Sequence, residues 1–269
     1  MDFGGGETII RRQRLGVSTV PRQKVDRNLV ISIGERLLPA FDAMLMHYAT
    51  TAEHEVFPDG SFPFTKTLEA NWRTIRAEAD EIVKDRKSIP PLRALSPDHH
   101  KIAVDDAWRS FFLIGYGVRF EDNCARCPET VKLVEQIPGL LSAFFSVMSP
   151  GAHVPRHTGP TKAILTTHLG LIVPQRREAC HMQVGHHDML WEEGKAFTFD
   201  DMYPHEVWND TDEARVILLL HVKRPLRAAG ALLQDLFFSA LRKSAFVKDG
   251  LRNLERWKEQ NGADEREAA

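Results

Sequence analysis

The stretch Phe145-Ser-Val-Met-Ser-Pro-Gly-Ala-His-Val-Pro-Arg-His157-Thr-Gly-Pro160 holds two short apolar runs, parted by Ser-Pro-Gly and closed by Thr-Gly-Pro. Runs this short, with turn residues on both sides, read as β-strands, since a helix needs about ten residues to bury a face. The same texture spreads outward from residue 107 to about residue 224, where β-branched and aromatic residues alternate with Pro, Gly and Asp punctuation. Strands are expected over residues 110–116, 143–148, 153–157, 163–173, 180–184, 195–199 and 215–222. Glu192-Glu-Gly-Lys195 and His186-His-Asp188 are expected as hairpin connections.

Helical spacing takes over on both sides, so the class is mainly β with flanking helices, α+β. Over residues 26–49, Leu29, Ile33, Leu37, Leu38, Phe41, Leu45 and Tyr48 recur at helical intervals, and Pro39 is expected to divide the segment into a helix pair. After Pro58-Asp-Gly-Ser-Phe-Pro63, residues 65–84 place Leu68, Trp72, Ile75, Ala79 and Ile82 on one face of another helix. Four segments result: 1–25, a flexible lead-in without periodicity; 26–106, a helical N-terminal part; 107–225, the β core; and 226–269, a C-terminal helical extension. The extension carries Leu226, Leu233, Phe237, Leu241, Phe246, Leu251, Leu254 and Trp257 on its apolar side.

A chain of 269 residues suits one catalytic domain, and a net charge of −2 gives no electrostatic case for nucleic acid. Cys124, Cys127 and Cys180 are too few and too unevenly spaced for a disulfide framework, which points to a reducing, cytoplasmic setting. Cys124-Ala-Arg-Cys127 has no second CxxC to complete a zinc site, and His186-His-Asp188 reads as an exposed connection. The first residues hold no apolar run resembling a secretory signal or a membrane anchor.

Chemistry enters with His157 and with Asp200-Asp-Met-Tyr-Pro-His205-Glu-Val-Trp208, about 48 residues further on. Two imidazoles from two β segments suit iron(II), copper, zinc or nickel, and two histidines with a carboxylate form the usual non-haem iron oxygenase face. Taken singly, either of these two among twelve histidines is more commonly a surface or hydrogen-bonded residue. Arg215 lies in the apolar strand Ala214-Arg-Val-Ile-Leu-Leu-Leu-His-Val222, where an inward guanidinium needs an anionic partner.

From Trp108 to Pro225 the chain resembles the catalytic domain of the aspartyl/asparaginyl β-hydroxylase family. The likeness runs in order through Trp108-Arg-Ser-Phe-Phe-Leu, Cys127-Pro-Glu-Thr, Ile137-Pro-Gly139, Phe145-Ser-Val-Met-Ser-Pro-Gly151, His157-Thr-Gly-Pro-Thr161, His168-Leu-Gly-Leu-Ile172, Trp191-Glu-Glu-Gly-Lys195, Phe199-Asp-Asp201 and His205-Glu-Val-Trp208. It implies a double-stranded β-helix of jelly-roll or cupin type, with iron(II) as cofactor and 2-oxoglutarate and O2 as cosubstrates. His157 and His205 match the family's metal ligands. Gly159 matches a glycine that stands where other such oxygenases have their carboxylate ligand. Asp201 is expected to orient His205 or a water beside the metal, although an ordinary turn aspartate fits it equally well. Arg215 matches the arginine that receives the distal carboxylate of 2-oxoglutarate. Ser146 and His168 match positions that help bind 2-oxoglutarate, and Trp108 an aromatic beside that pocket.

The resemblance implies oxidative cleavage of 2-oxoglutarate coupled to hydroxylation of an unactivated carbon, on a peptidyl or amino-acid substrate. A second substrate class stays open. Thr166 stands where the family's animal peptide hydroxylases tend to carry an arginine, and Phe62-Pro-Phe64 with Leu68-Glu-Ala-Asn-Trp72 is similar to a bacterial branch that hydroxylates lipid acyl chains. Arg227, Arg242, Lys243, Lys248, Arg252, Arg256 and Lys258, set among apolar residues, suggest peripheral membrane contact through the C-terminal extension, although a helix packed on the barrel with a solvated face is the commoner origin of such a pattern. A non-catalytic β-barrel that binds a small molecule is the reading from another class.

Overall fold

Two strands of one sheet put every second side chain into a shared interior. Cys180, Met182 and Val184 of β6 (Cys180–Val184) are buried there, while His181 and Gln183 face outward. Its neighbours are β4 (Ala152–His157), β9 (His205–Asn209) and β7 (His187–Leu190), in the order β4-β9-β6-β7. The structure, a computed structural model, describes residues 29–86, 89–95, 102–103 and 105–267. The lead-in expected over residues 1–25 lies outside them.

A larger sheet closes the other side. Its order is β2-β1-β3-β10-β5-β8, from β1 (Trp108–Gly115), β2 (Val118–Arg119), β3 (Leu140–Met148), β5 (Ile164–Ile172), β8 (Ala196–Phe199) and β10 (Arg215–Lys223). All pairings are antiparallel. Phe144, Met148, Ile217 and Leu219 of this sheet share one core with Ala152, Val154, Met182 and Val207 of the smaller one. That sandwich is the expected jelly roll, with a lumen between its sheets.

The outer face of the large sheet is buried by helices, which is why β3, β5 and β10 read as nearly continuous apolar runs. Ile75, Ala79 and Ile82 of α3 (Trp72–Lys84) pack there with Val131 and Val134 of α6 (Pro128–Val134), Leu113, Phe145, Leu169 and Leu218. Full burial of such aliphatic chains stabilises by about 1.5–3 kcal/mol each.

Two units divide the chain, Met1–Leu37 and Leu38–Ala269, and the site belongs to the second. Several local expectations need correction. Helix α1 (Leu29–Met46) continues through Pro39, whose ring lies on an exposed side where the freed carbonyl can be solvated, so no helix pair forms. The helix expected over 65–84 is two, α2 (Pro63–Ala70) and α3, because the Asn71 amide donates to Thr67 O at 2.8 Å and competes with the helical ladder. Short helices α4 (Leu92–Leu95) and α5 (Glu121–Arg126) complete the N-terminal side of the core. Glu192-Glu-Gly-Lys195 carries the chain from β7 in one sheet to β8 in the other, so it is a crossover and not a hairpin. The β6–β7 turn sits at Gly185 and His186, and His187 and Asp188 already belong to a strand. The C-terminal extension is also two helices, α7 (Ala228–Lys243) and α8 (Ala245–Glu267).

Candidate active site

Strand pairing brings the two histidines together: His157 at the end of β4 lies opposite His205 at the start of β9. The register slips between Val154 and His157, a bulge-like irregularity of the kind that re-aims a side chain at a sheet edge. Their ring centroids are 4.1 Å apart. Each ring is fixed from behind in the same way, by its Nδ1 donating to the carbonyl two residues earlier, Pro155 O at 2.8 Å and Tyr203 O at 3.0 Å. A carbonyl only accepts, so Nδ1 carries the hydrogen and Nε2 keeps its lone pair. Burial lowers both pKa values; His205, with His157 as the second cause, falls to about 4. Both rings are therefore neutral donors at pH 7.

That shift carries a stability consequence. An unfolded chain protonates His205 near pH 6.5 and the fold resists this down to about 4, so stability is present above 6.5 and is lost as pH falls between those values. The metal-free protein is expected to lose up to about 3 kcal/mol across that window through this residue. Urea titrations from pH 7 to 4 should show a flatter profile for His205→Gln.

Among the described residues no group of three or more His, Cys, Asp or Glu could hold a metal. The reason is visible at Gly159. A Cβ built there would overlap the Asp201 carboxylate, so Asp201 fills the space a side chain at 159 would take. Gly159 N donates to Asp201 O at 2.6 Å, which fixes the approach of the two backbones. One Asp201 oxygen accepts from Thr166 Oγ1 at 3.0 Å; the other, Oδ1, is buried without a partner. Burial raises this carboxyl to about 7. Gly159→Ala is expected to cost about 1–3 kcal/mol by overpacking, with Asp201→Gly in the same chain restoring most of it, as thermal unfolding would record.

Arg215 lies in the lumen, 3% exposed, with its guanidinium 4.6 Å from the Trp191 ring centroid. Its Nη2 reaches Ser146 Oγ at 3.5 Å, Nε has no partner, and among the described residues no carboxylate pairs with it. Burial lowers its pKa to about 10, which still leaves it charged at neutral pH. Ser146 Oγ also accepts from Trp108 Nε1 at 3.0 Å. His168 is buried, and burial first, then the charge of Arg215 and that of His205, holds its pKa well below 6.5. Its Nδ1 accepts from Trp191 Nε1 at 3.3 Å, so the hydrogen sits on Nε2. His168 thus stands within electrostatic reach of both Arg215 and the histidine pair.

Register sets the rest of the lumen. Phe112, Phe144, Leu219, His168 and Phe197 form one row across the large sheet, and Ser142, His221, Thr166 and Phe199 the next. Neither row carries Lys or Arg. Behind the turn before His205, Arg224 Nη2 donates to Asp200 Oδ2 at 2.5 Å with both side chains fully buried. Arg224 Nε donates to Lys162 O at 2.6 Å, and Thr161 Oγ1 to Asp42 Oδ1 at 2.5 Å, so the loop after His157 is held from two sides.

Three participants are visible only in the structure. Trp191 is both the platform for Arg215 and the donor to His168, and the sequence marked it as a motif residue without a role. Ser110 faces Ser146 across the β1–β3 pair with a buried hydroxyl that has no partner. The Asp200–Arg224 pair joins residues 24 apart, a spacing that no local pattern signals. The Cys124–Cys127 and His186–His187 decoys stay apart from the site, whereas Cys180 lies within electrostatic reach of Arg215. Cys124, Cys127 and Cys180 are free and buried, and burial raises all three thiols, Cys127 to about 12. His186 and His187 serve Glu55 at the β6–β7 turn.

Comparison with known proteins finds sequence relatives over most of this chain. An ornithine lipid ester-linked acyl 2-hydroxylase of Rhizobium tropici is 36% identical over 216 residues, 80% of this chain and 77% of that protein. Human aspartyl/asparaginyl beta-hydroxylase is 34% identical over 171 residues, 62% of this chain but only 22% of that protein. Human aspartate beta-hydroxylase domain-containing protein 2 is 29% identical over 175 residues, 61% of this chain and 45% of that protein. The sequence profile described as aspartyl/asparaginyl beta-hydroxylase matches residues 69–225, which take in α3 and every strand of both sheets, with His157, Asp201, His205 and Arg215 among them. On that match, and on the length over which the bacterial acyl hydroxylase aligns, the chain belongs to the aspartyl/asparaginyl β-hydroxylase family and is a hydroxylase of that kind.

Proposed function

We propose that the chain hydroxylates a lipid acyl chain with iron(II), 2-oxoglutarate and oxygen, that His157 and His205 hold the iron, and that Arg215 receives the distal carboxylate of 2-oxoglutarate. The observation that carries this reading is Arg215: a buried guanidinium with no carboxylate partner among the described residues, linked to the neutral histidine pair through His168, which feels the charge of both Arg215 and His205. A buried cation is costly alone, and a dicarboxylate would complete it. The donor set fits iron(II), since two imidazoles leave room for a chelating cosubstrate and for oxygen.

Iron(II) and 2-oxoglutarate, held there, would supply the activation of oxygen that converts 2-oxoglutarate to succinate and carbon dioxide and places one oxygen atom on a substrate carbon. The chain's own residues position the parts. Arg215, seated on Trp191 and Ser146, would form the charge-assisted bond to the carboxylate, and His168, whose Nδ1 is taken by Trp191, would have its Nε2 hydrogen to donate. Ser110 and Ser146 offer hydroxyls beside the same carboxylate, and Trp108 holds Ser146 in place. Asp201 presents an unfilled acceptor, so a water donating to it beside His205 would be ordered. Phe112, Phe144, Phe197 and Leu219 exclude bulk water.

Substrate class follows from what the lumen lacks. A carboxylate-bearing substrate calls for a second permanent cation, and the rows beside the histidines offer Thr166, Ser142, His221 and aromatics but no Lys or Arg. An acyl chain meets apolar surface there, and the acyl hydroxylase of R. tropici aligns over 77% of its length. The decisive measurement is succinate formed from 2-oxoglutarate by anaerobically iron-loaded protein after oxygen is admitted, with pools of acyl lipids or peptides. Lipid-stimulated succinate that vanishes in His157→Ala and in His205→Ala is expected. Stimulation by peptides alone would shift the substrate to a peptidyl residue, and no succinate from folded wild type would leave a small-molecule-binding barrel.

A further inference from the structure

We infer that α7 is a docking helix that seats the chain on an anionic lipid bilayer, with its axis in the plane of the surface. This rests on the acyl-lipid reading above, since no helix among the described residues is long and apolar enough to cross a membrane. A lipid-directed chain of this kind has to meet its substrate from outside the bilayer.

The two faces of α7 differ in chemistry. Its inner face packs Leu233, Phe237, Phe238 and Leu241 against Leu45, Leu141 and Ile164. Its outer face exposes Ala228, Leu232, Leu236 and Ala240, four positions at successive intervals of one turn. Leu232 is 62% exposed and Leu236 60%. Isolated exposed leucines are unremarkable, whereas two stacked on one face between alanines form a stripe that water solvates poorly.

Charge decides the occupant. Arg227 stands exposed before the helix, and Arg242 and Lys243 are exposed in its last turn; among the described residues none of the three makes an ion pair. The acidic residue of the stripe, Asp235, is neutralised by Lys223 at 2.5 Å. Cations at both ends of an apolar stripe match phosphates flanking an acyl boundary. The cations of α8 are the weaker candidates: Lys258 pairs with Asp122 at 3.1 Å and Arg252 with Asp249 at 2.6 Å.

The helix is also bolted to the site. Gln234, on its buried side, donates to Ala163 O at 2.9 Å and Arg224 O at 3.2 Å. Ala163 closes the loop that follows His157 and Gly159, and Arg224 pins Asp200 beside Asp201. A surface held against the outer face of α7 is thereby held in fixed relation to the histidine pair.

Sedimentation with phosphatidylcholine vesicles, with and without phosphatidylglycerol, tests this on the full chain. Wild type is expected to partition onto the phosphatidylglycerol vesicles and to be released by salt. Leu232→Ser with Leu236→Ser should lower that partition about tenfold or more at an unchanged unfolding midpoint. Arg227→Ala, Arg242→Ala and Lys243→Ala should each remove about fivefold of the preference for anionic vesicles. Equal partition of wild type and the double-serine variant would overturn the proposal. So would a wild-type dimer that the variant converts to monomer without any change in partition, which would give the stripe to a second copy of the chain. Detergent-dispersed lipid separates the two readings. The double variant should keep succinate formation on dispersed lipid and lose it on vesicles; if wild type binds vesicles through α7 yet no lipid in either form stimulates succinate, the docking face stands and the acyl substrate falls.

Discussion

Arg215→Met is expected to bind 2-oxoglutarate about a hundredfold more weakly and, without ligand, to unfold at a higher temperature than wild type. The two effects have one origin. The guanidinium is buried over Trp191, touches Ser146 only at 3.5 Å, and leaves Nε unpaired. Its desolvation is offset only in part by the Trp191 face, and replacing a poorly compensated buried charge by a well-packed apolar chain of similar volume gains about 1–4 kcal/mol. Methionine fills a similar volume and keeps contact with the indole. With the dicarboxylate present the balance reverses, because removing one partner of a buried, hydrogen-bonded charge pair costs about 2–5 kcal/mol of binding. Isothermal titration of 2-oxoglutarate and thermal unfolding of the metal-free variant check the two halves. A variant that is destabilised and still binds normally would move the anion site elsewhere.

Arg224→Met should behave in the opposite way. Asp200 and Arg224 are both fully buried and joined at 2.5 Å, so removing the arginine strands a carboxylate in the interior. The expected cost is about 3–5 kcal/mol, measured by urea unfolding. Lys162, 3.8 Å from Asp200, recovers only part of it, since its amine is already committed to Glu53 at 2.7 Å. Asp200→Asn added to Arg224→Met should return most of the loss, because a neutral amide needs no counterion. Non-additivity of the two substitutions is the signature of the pair.

The sequence made the β core legible because its strands are short apolar or alternating runs set off by Pro, Gly and Asp. β6 matches its expected span in full, and β3, β4, β5, β8 and β10 differ by a few residues at their ends. What it hid follows from physical causes. β9, which carries His205, opens after Asp-Asp-Met-Tyr-Pro, a run that reads as turn, and its alternation spans only five residues. α5 and α6 are six and seven residues long, too short for a helical period to emerge. β1 ends at Gly115 because Tyr116 takes φ 49° and Gly117 φ 79° in the turn to β2, a conformation that tyrosine seldom announces. Of the candidate site, His157, His205, Asp201, Trp108, Ser146, His168 and Arg215 were all nameable from motifs. That Asp201 fills the space beside Gly159, and that Trp191 and Ser110 line the same wall as Ser146, depends on which side chains meet across sheets.

The burial of the three thiols turns the chain into its own reporter of breathing. Cys180 lies within the smaller sheet, while Cys124 and Cys127 sit where α5 and α6 cover the larger one. Because all three are buried with raised pKa values, an alkylating reagent reaches them only through opening events. Labelling rates followed peptide by peptide therefore distinguish a transient parting of the histidine-bearing sheet from a loosening of the helical cover, without introducing any foreign probe.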